Sequence, residues 1–240
     1  MNQNTKPLGA ILVSLLSCVV LLGCASTGIT VPKNDSLEGF NRAVFSFNAG
    51  VDKVLVKPLA KGYRWITPDP LERGINNMFS NLAYPTVIVN NLLQGKPLTA
   101  LQDTGRFLVN STLGIAGFID VAQHMGMPEH NEDFDQTLAV WGVPSGPYIV
   151  LPFLGPSTLR GTLGNAADQY LHVRSYLDNP DLETGLIVLQ IINIRANLLP
   201  LDEQINASND PYIFMREAYL QNRNFNYYDG DPPLDEDFLE

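Results

Sequence analysis

One stretch of the sequence gathers residue types that can bind a metal ion. His124, Glu129, His130, Asp133 and Asp135 lie within 12 residues of one another, and imidazole with carboxylate is a common ligand set for zinc. The stretch is polar and loop-like, and it lacks the helical ligand spacing of a zinc site. We therefore predict a solvated loop here and no metal.

The residue types that carry enzyme catalysis form no recognisable motif. Neither Ser145 nor Ser157 has the flanking glycines of a G-x-S-x-G nucleophile elbow. H-E-x-x-H, G-x-x-x-x-G-K-[ST] and G-x-G-x-x-G do not occur. Asp168 and His172, four residues apart, are expected to form a local hydrogen-bonded pair. A Ser-His-Asp triad assembled from distant positions stays open, but we predict no enzyme activity and no cofactor.

Cys24 is the cysteine for which the sequence predicts a chemical modification. It ends an apolar stretch near the N-terminus. Lys6 precedes that stretch, and residues 8–22 are too few for a comfortable membrane span. The sequence Leu21-Leu22-Gly23-Cys24 resembles the bacterial lipobox, in which a peptidase cuts before the cysteine and the thiol carries diacylglycerol. We predict that residues 1–23 are a removed lipoprotein signal peptide and that Cys24 is lipidated.

The alternative is a plain secretory signal cleaved within residues 25–28. Cys18 lies in the removed segment, so Cys24 has no partner for an internal disulfide. Ala25, rather than Asp, follows the cysteine and by the bacterial sorting rule favours the outer membrane. Several acyl chains make a stable anchor. Residues 24–35 are then the lipidated N-terminus and a tether.

Two predicted helices carry a narrow polar stripe on an otherwise apolar cylinder. The stripes comprise Thr99, Asp103, Arg106 and Asn110 within residues 98–113, and Glu183, Gln190, Asn193 and Asn197 within residues 183–199. A surface helix of a soluble protein has the opposite pattern. One such helix is usually buried in a large core, whereas two favour apolar faces against lipid and polar stripes lining a cavity. Both are too short to cross a bilayer upright, so they are expected to lie in one leaflet.

Between these helices lies a segment rich in glycine and proline that cannot form a regular helix. Residues 142–156 contain three glycines and four prolines. The apolar residues singled out there are Tyr148, Ile149, Val150, Leu151 and Phe153. The segment is predicted either to fold over the core as a loop or to form an apolar hairpin that borders a lipid path.

The composition fits this interpretation, because charge is scarce in a chain with no obvious membrane span. Charged residues make up 17% of the chain, against roughly 25% in average soluble proteins. The net charge of −10 argues against a nucleic-acid partner. Much of it comes from residues 229–240, which hold six acidic residues and are predicted to be a disordered tail. Residues 36–228 are predicted to be a single, mostly helical domain.

Four separated motifs together resemble the MlaA (VacJ) family of outer-membrane lipoproteins. They are SLEGFNR at 36–42, NSTLGIAGFIDVA at 110–122, QTL at 136–138 running on through the Gly/Pro segment to Arg160, and DPYIFMREAY at 210–219. The resemblance implies a mostly all-α, ring- or disc-like assembly in the periplasm-facing inner leaflet of the outer membrane, around a central amphipathic channel. It implies removal of mislocalised phospholipid from the outer leaflet, transfer to a periplasmic carrier of the Mla pathway, and association with a trimeric porin.

Combining the stripes with this resemblance gives a passive mechanism without a covalent step. The two polar stripes solvate the phospholipid headgroup, and its tails slide past the Gly/Pro hairpin. Asn41 and Asn48, seven residues apart at the border of an apolar helix face, are further candidates for lining the channel. The alternative is a structural envelope lipoprotein that scaffolds porins without moving lipid.

Overall fold

The computed structural model describes residues 35–233. The signal peptide, Cys24, most of the tether and residues 234–240 of the tail lie outside the described residues. Asp35, the last residue of the predicted tether, belongs to the folded body, because its carboxylate accepts hydrogen bonds from the Asn41 side chain and the Tyr212 hydroxyl. Asp229, the first residue of the predicted tail, pairs with Lys96 at 2.6 Å.

The prediction of a mostly helical chain is confirmed. The helices are α1 (Glu38–Val51), α2 (Lys57–Ile66), α3 (Asp69–Leu93), α4 (Pro97–Thr112), α5 (Val121–His124), α6 (Phe134–Val140), α7 (Leu159–Asp168), α8 (Pro180–Leu198), α9 (Asp202–Ala207) and α10 (Pro211–Tyr227). A π-helical turn (Asp52–Val56) joins α1 to α2, and 3₁₀ turns occupy Val173–Tyr176 and Leu199–Leu201. α3 packs against α4, α2 against α8, and α6 against α7.

The Gly/Pro segment forms an antiparallel hairpin. β1 (Tyr148–Leu151) pairs with β2 (Gly155–Thr158), with Ile149 opposite Ser157. β1 contacts α1, and β2 contacts α10. A small hydrophobic cluster forms where these elements meet; it consists of Tyr148, Val150, Tyr212 and Leu220, with Val44, Phe45, Ile213 and Tyr219 packed against it.

Elsewhere the interior is polar. In the described part of the chain, more polar and charged side chains than hydrophobic ones are buried. The buried polar set includes Asn41, Asn81, Asn90, Asn91, Asp103, Arg106, Asn110, Asp135, Arg160, Asp168 and Asn193. Such groups are normally exposed unless paired, and here most of them bond to one another or to backbone groups.

The surface is correspondingly apolar. Large hydrophobic side chains are exposed on α1 to α4, in the loop after α4, at the hairpin turn and along α8. Trp65 is 88% exposed and Val54 is 80% exposed. Large hydrophobic side chains exposed in such number indicate contact with lipid or with another protein.

The second striped helix is longer than predicted, and the prediction that it is too short to cross a bilayer upright is wrong. α8 has 19 residues, and it runs through a 3₁₀ turn into α9. Within residues 35–233, this one helical stretch, Pro180–Ala207, has the length and mean hydropathy (1.4) of a membrane span. Only 11% of its most apolar window is buried within the protein.

Candidate functional site

The polar stripe of α4 faces the interior of the protein. Asp103, Arg106 and Asn110 are 0 to 3% exposed, whereas Leu98 and Leu101 on the opposite face are each 68% exposed. Thr99, at the start of the helix, is half-buried. A period of 3.6 residues separates these two faces, as the sequence predicts.

Asp103 is held by an amide and an imidazole. Asn91 of α3 donates its Nδ2 to Asp103 Oδ2 at 2.9 Å, and His130 Nδ1 lies 2.8 Å from Asp103 Oδ1. Burial raises the pKa of Asp103, and the hydrogen bond from His130 partly offsets that effect. The carboxylate is therefore part of a closed network within the protein.

Arg106 joins α4 to α3 and to the following loop. Its guanidinium donates to the Tyr84 hydroxyl, to the Met127 carbonyl oxygen at 2.6 Å, and to Asp120. Asn110 Nδ2 donates to the other carboxylate oxygen of Asp120 at 2.9 Å. Burial raises the pKa of Tyr84 to about 12, so this hydroxyl stays protonated at neutral pH.

A second buried charge cluster was not predicted. Asp135 accepts from Arg160 and Arg223 at 2.6 Å each, and from the Tyr227 hydroxyl at 2.7 Å. Burial acts to raise the pKa of Asp135, but the two arginines outweigh it and lower the pKa. Nearby, Asp168 accepts from Asn90 Nδ2 and the Phe134 N–H, and burial raises its pKa to about 6.

The residues of the suspected metal cluster are dispersed, and the prediction of a solvated loop is wrong for part of the stretch. His130 contacts Asp103, Asp133 pairs with Arg223, and His124 Nδ1 lies 2.8 Å from the Asp120 carbonyl oxygen. Asp135 is 2% exposed and lies in α6. Over residues 35–233, no group of three or more His, Cys, Asp or Glu side chains is arranged to hold a metal.

The polar stripe of α8 faces protein only in part, because Asn193 is 2% exposed and Gln190 is half-buried, whereas Asn197 is exposed. Asn193 accepts from the Tyr63 hydroxyl at 3.0 Å and donates to Asn76 Oδ1 at 2.5 Å. Asn197 donates to the same oxygen, and Gln190 accepts from Arg174. Glu183, near the start of the helix, is half-buried.

Arg195 of α8 is paired with two carboxylates. Its guanidinium pairs with Asp52 at 2.7 Å and with Asp202 at 2.8 Å. The far side of α8 carries exposed apolar residues; Ile191 and Ile194 are 51% and 50% exposed.

A shallow cleft that is open to solvent lies between α3, α8 and the first 3₁₀ turn. Its apolar lining comprises Phe79, Leu82, Ala83, Val173 and Leu186, and its polar lining comprises His172, Arg174 and Gln190. Burial and the neighbouring charge of Arg174 lower the pKa of His172. The expected pairing of Asp168 with His172 is wrong, because α7 ends at Asp168 and His172 is not on a following helical turn.

Asn41 and Asn48 bind the hairpin backbone. Asn41 Nδ2 donates to the Tyr148 carbonyl oxygen at 3.0 Å, and its Oδ1 accepts from the Val150 N–H at 2.8 Å. Asn48 makes the same pair of bonds to the Leu151 carbonyl oxygen and the Phe153 N–H, at 2.9 and 2.8 Å. Each amide thus makes the pair of backbone hydrogen bonds that a neighbouring β-strand would otherwise make.

These bonds hold the turn of the hairpin at the surface. Tyr148 and Val150 are 1% exposed in the hydrophobic cluster, and Ile149 and Leu151 are half-buried. Phe153 is 73% exposed, adopts φ +64° and packs edge-on against Phe47. Of the five apolar residues singled out, Phe153 is the one freely accessible from outside.

The site and fold define a class of protein: a helical chain with polar side chains inside and apolar side chains outside, as expected for contact with lipid. The family model described as MlaA lipoprotein matches residues 33–226, and the chain belongs to this family.

Characterised relatives agree with this assignment. The chain is 42% identical over 216 residues to the intermembrane phospholipid transport system lipoprotein MlaA of Escherichia coli, covering 88% of this chain and 85% of that protein. It is 35% identical over 227 residues to the protein of the same name from Haemophilus influenzae, covering 92% and 91% of the two chains. A solved structure from work on the structural basis for maintenance of bacterial outer membrane lipid asymmetry matches with a TM-score of 0.73 and 39% identity. That match covers 81% of this chain and all of the other.

Proposed function

We propose that this protein is an outer-membrane lipoprotein that removes mislocalised phospholipid from the outer leaflet through an amphipathic passage and thereby maintains lipid asymmetry. The observation that carries the proposal is the reversed distribution of side chains, with charged and amide groups inside and large apolar groups outside. The E. coli and H. influenzae relatives are phospholipid transport lipoproteins, and the related structure concerns outer membrane lipid asymmetry.

The proposed placement is in the periplasm-facing leaflet, anchored through acylated Cys24. The exposed faces of α4 and α8 contact lipid tails, and their polar stripes with Asn41 and Asn48 belong to the scaffold around the passage. Transport involves no covalent step. Its direction comes from downstream acceptors, because a passage alone only equilibrates the two sides. A trimeric porin beside the apolar surface and a periplasmic carrier are the proposed partners.

Deletion of the gene tests the proposal directly. We expect phospholipid to accumulate on the surface of intact cells, measured by labelling the outer leaflet, and we expect the full-length protein purified from membranes to carry phospholipid detected by mass spectrometry. Unchanged surface lipid together with no co-purified lipid would leave a porin scaffold as the better account. Release of fatty acid or lysolipid from vesicles by the pure protein would instead indicate an enzyme.

Replacement of Cys24 tests the anchor. The substitution Cys24→Ala should abolish incorporation of a labelled fatty acid, while Cys18→Ala serves as the matched control and should leave it unchanged. Labelling that persists in Cys24→Ala would refute the predicted anchor.

A further inference from the structure

The cleft between α3, α8 and the first 3₁₀ turn contains a cation bonded only to neutral groups. Arg174 Nη1 donates to Gln190 Oε1 at 2.5 Å, and Nη2 donates to Gln169 Oε1 at 3.0 Å. Both acceptors are uncharged amides. Among residues 35–233, no carboxylate oxygen lies within 4.0 Å of this guanidinium.

This arrangement distinguishes Arg174 from the other arginines with restricted access to solvent. Each of those contacts a carboxylate; they are Arg42, Arg106, Arg160, Arg195, Arg216 and Arg223. Arg64 and Arg73 are exposed to water. A half-buried guanidinium beside apolar walls keeps an attraction for an anion, because no carboxylate neutralises it.

The geometry of Arg174 leaves donors available for that anion. A guanidinium has five N–H groups in one plane, and two of them are used in the bonds to Gln190 and Gln169. The two amide oxygens fix the orientation of the plane and leave Nε–H and one N–H on each amino group. Planar, paired donors of this kind match the oxygens of a phosphate group.

The remaining walls of the cleft are apolar and fit the hydrophobic part of the same molecule. Phe79, Leu82 and Leu186 line the same cleft as Arg174. Free phosphate would engage Arg174 but leave these side chains uncovered, whereas a lipid covers both. We infer that the cleft binds the phosphodiester of a phospholipid headgroup at Arg174, with the start of the acyl chains along Phe79, Leu82 and Leu186. This inference rests on the proposed function and names a headgroup contact for it.

Binding by the full-length acylated protein in detergent tests this inference, with native mass spectrometry as the readout. The probes are dioleoylphosphatidylglycerol, dioleoylglycerol (the same acyl chains without phosphate) and inorganic phosphate. Arg174→Gln should weaken phosphatidylglycerol binding by roughly 10- to 100-fold, the effect of losing a charged hydrogen-bond donor. Arg174→Lys should recover part of the binding, because it keeps the charge and loses the planar fork. Arg73→Gln is the matched control and should bind like the wild type.

A second variant leaves the arginine in place and fills the cleft. Ala83→Leu should weaken binding of phosphatidylglycerol and leave the contact with inorganic phosphate unchanged. This variant carries the test if Arg174→Gln does not fold.

The outcomes separate the two proposals. If wild-type protein binds no phospholipid, the proposed function fails. If it binds phospholipid, and both Arg174→Gln and Ala83→Leu bind as tightly, the transport proposal stands and the headgroup inference is overturned. Equal affinity for dioleoylglycerol would also overturn it. Binding of inorganic phosphate without competition from phosphatidylglycerol would assign the cleft to a small anion instead.

Discussion

The attachment of the hairpin to α1 gives the sharpest prediction, because two amide side chains carry it. Asn41 is 0% exposed, and its two bonds satisfy the Tyr148 carbonyl and the Val150 N–H. The substitution Asn41→Ala leaves both backbone groups without a partner. At about 1–3 kcal/mol for each of the two unsatisfied buried groups, the free energy of unfolding should fall by about 2–6 kcal/mol.

Asn48 makes an equivalent pair of bonds nearer the surface. Asn48 is half-buried and Phe153 is exposed, so water can replace the lost amide. We expect Asn48→Ala to lower the free energy of unfolding by about 1 kcal/mol. Asn41→Asp should be worse than Asn41→Ala, because it loses the donor to Tyr148 and places a second carboxylate beside Asp35, whose Oδ1 lies 2.9 Å from Asn41 Nδ2.

The assay combines urea unfolding in detergent with amide hydrogen exchange. Exchange should become faster at Val150 in Asn41→Ala and at Phe153 in Asn48→Ala. Asn222→Ala is the control, because Asn222 is an exposed helical asparagine on α10. If Asn41→Ala matches this control in unfolding free energy, and Val150 stays protected, the two amides do not hold the hairpin.

Three further predictions concern other parts of the molecule. In Gly74→Ala the new Cβ would meet the Phe118 ring at 2.1 Å, so the melting temperature should fall by an amount equivalent to about 1–3 kcal/mol; an unchanged value would refute this packing. The Asp168 carboxyl should titrate near pH 6 in ¹³C NMR. Because its pKa is higher in the folded state than in the unfolded state, its protonation should raise the free energy of unfolding as the pH falls from 7 towards 5. This rise should be missing in Asp168→Ala. Ile191→Lys should weaken membrane association, measured by flotation with vesicles, whereas Asn222→Lys should not; equal flotation would contradict lipid contact at α8.

Features that depend on neighbouring residues within one helix or hairpin could be predicted from the sequence. The period of polar residues in α4 places Asp103, Arg106 and Asn110 on one face, and the structure buries that face. The glycines and prolines of 142–156 exclude a helix, and a hairpin forms there. Local periodicity and backbone restriction depend on neighbouring residues, so both can be predicted from the sequence alone.

Contacts between distant residues could not be predicted in the same way. The backbone groups that Asn41 binds lie 107 and 109 residues away. The residue pattern of the helix is the same whether Asn41 binds the hairpin or lines a channel. The polar neighbours of Asp135 in the sequence predict a solvated loop, whereas its burial depends on Arg223, which lies 88 residues further along the chain. In both cases the sequence pattern contains the polar residue but gives no information about its distant partner.

Polar packing between the striped helices and apolar packing around the hairpin together fit the proposed contact with lipid. Between helices in lipid, burial of apolar groups contributes little, because acyl chains are as apolar as leucine, and polar pairs have to supply specificity. α4 and α8 fit that situation, with amide and ion pairs inside and leucine or isoleucine outside. The hydrophobic cluster instead joins the hairpin, α1 and α10, and α10 exposes Gln221 and Asn222. Burial of apolar groups stabilises packing against water, so under the proposed function we expect this cluster to face the aqueous side and the striped helices to contact lipid.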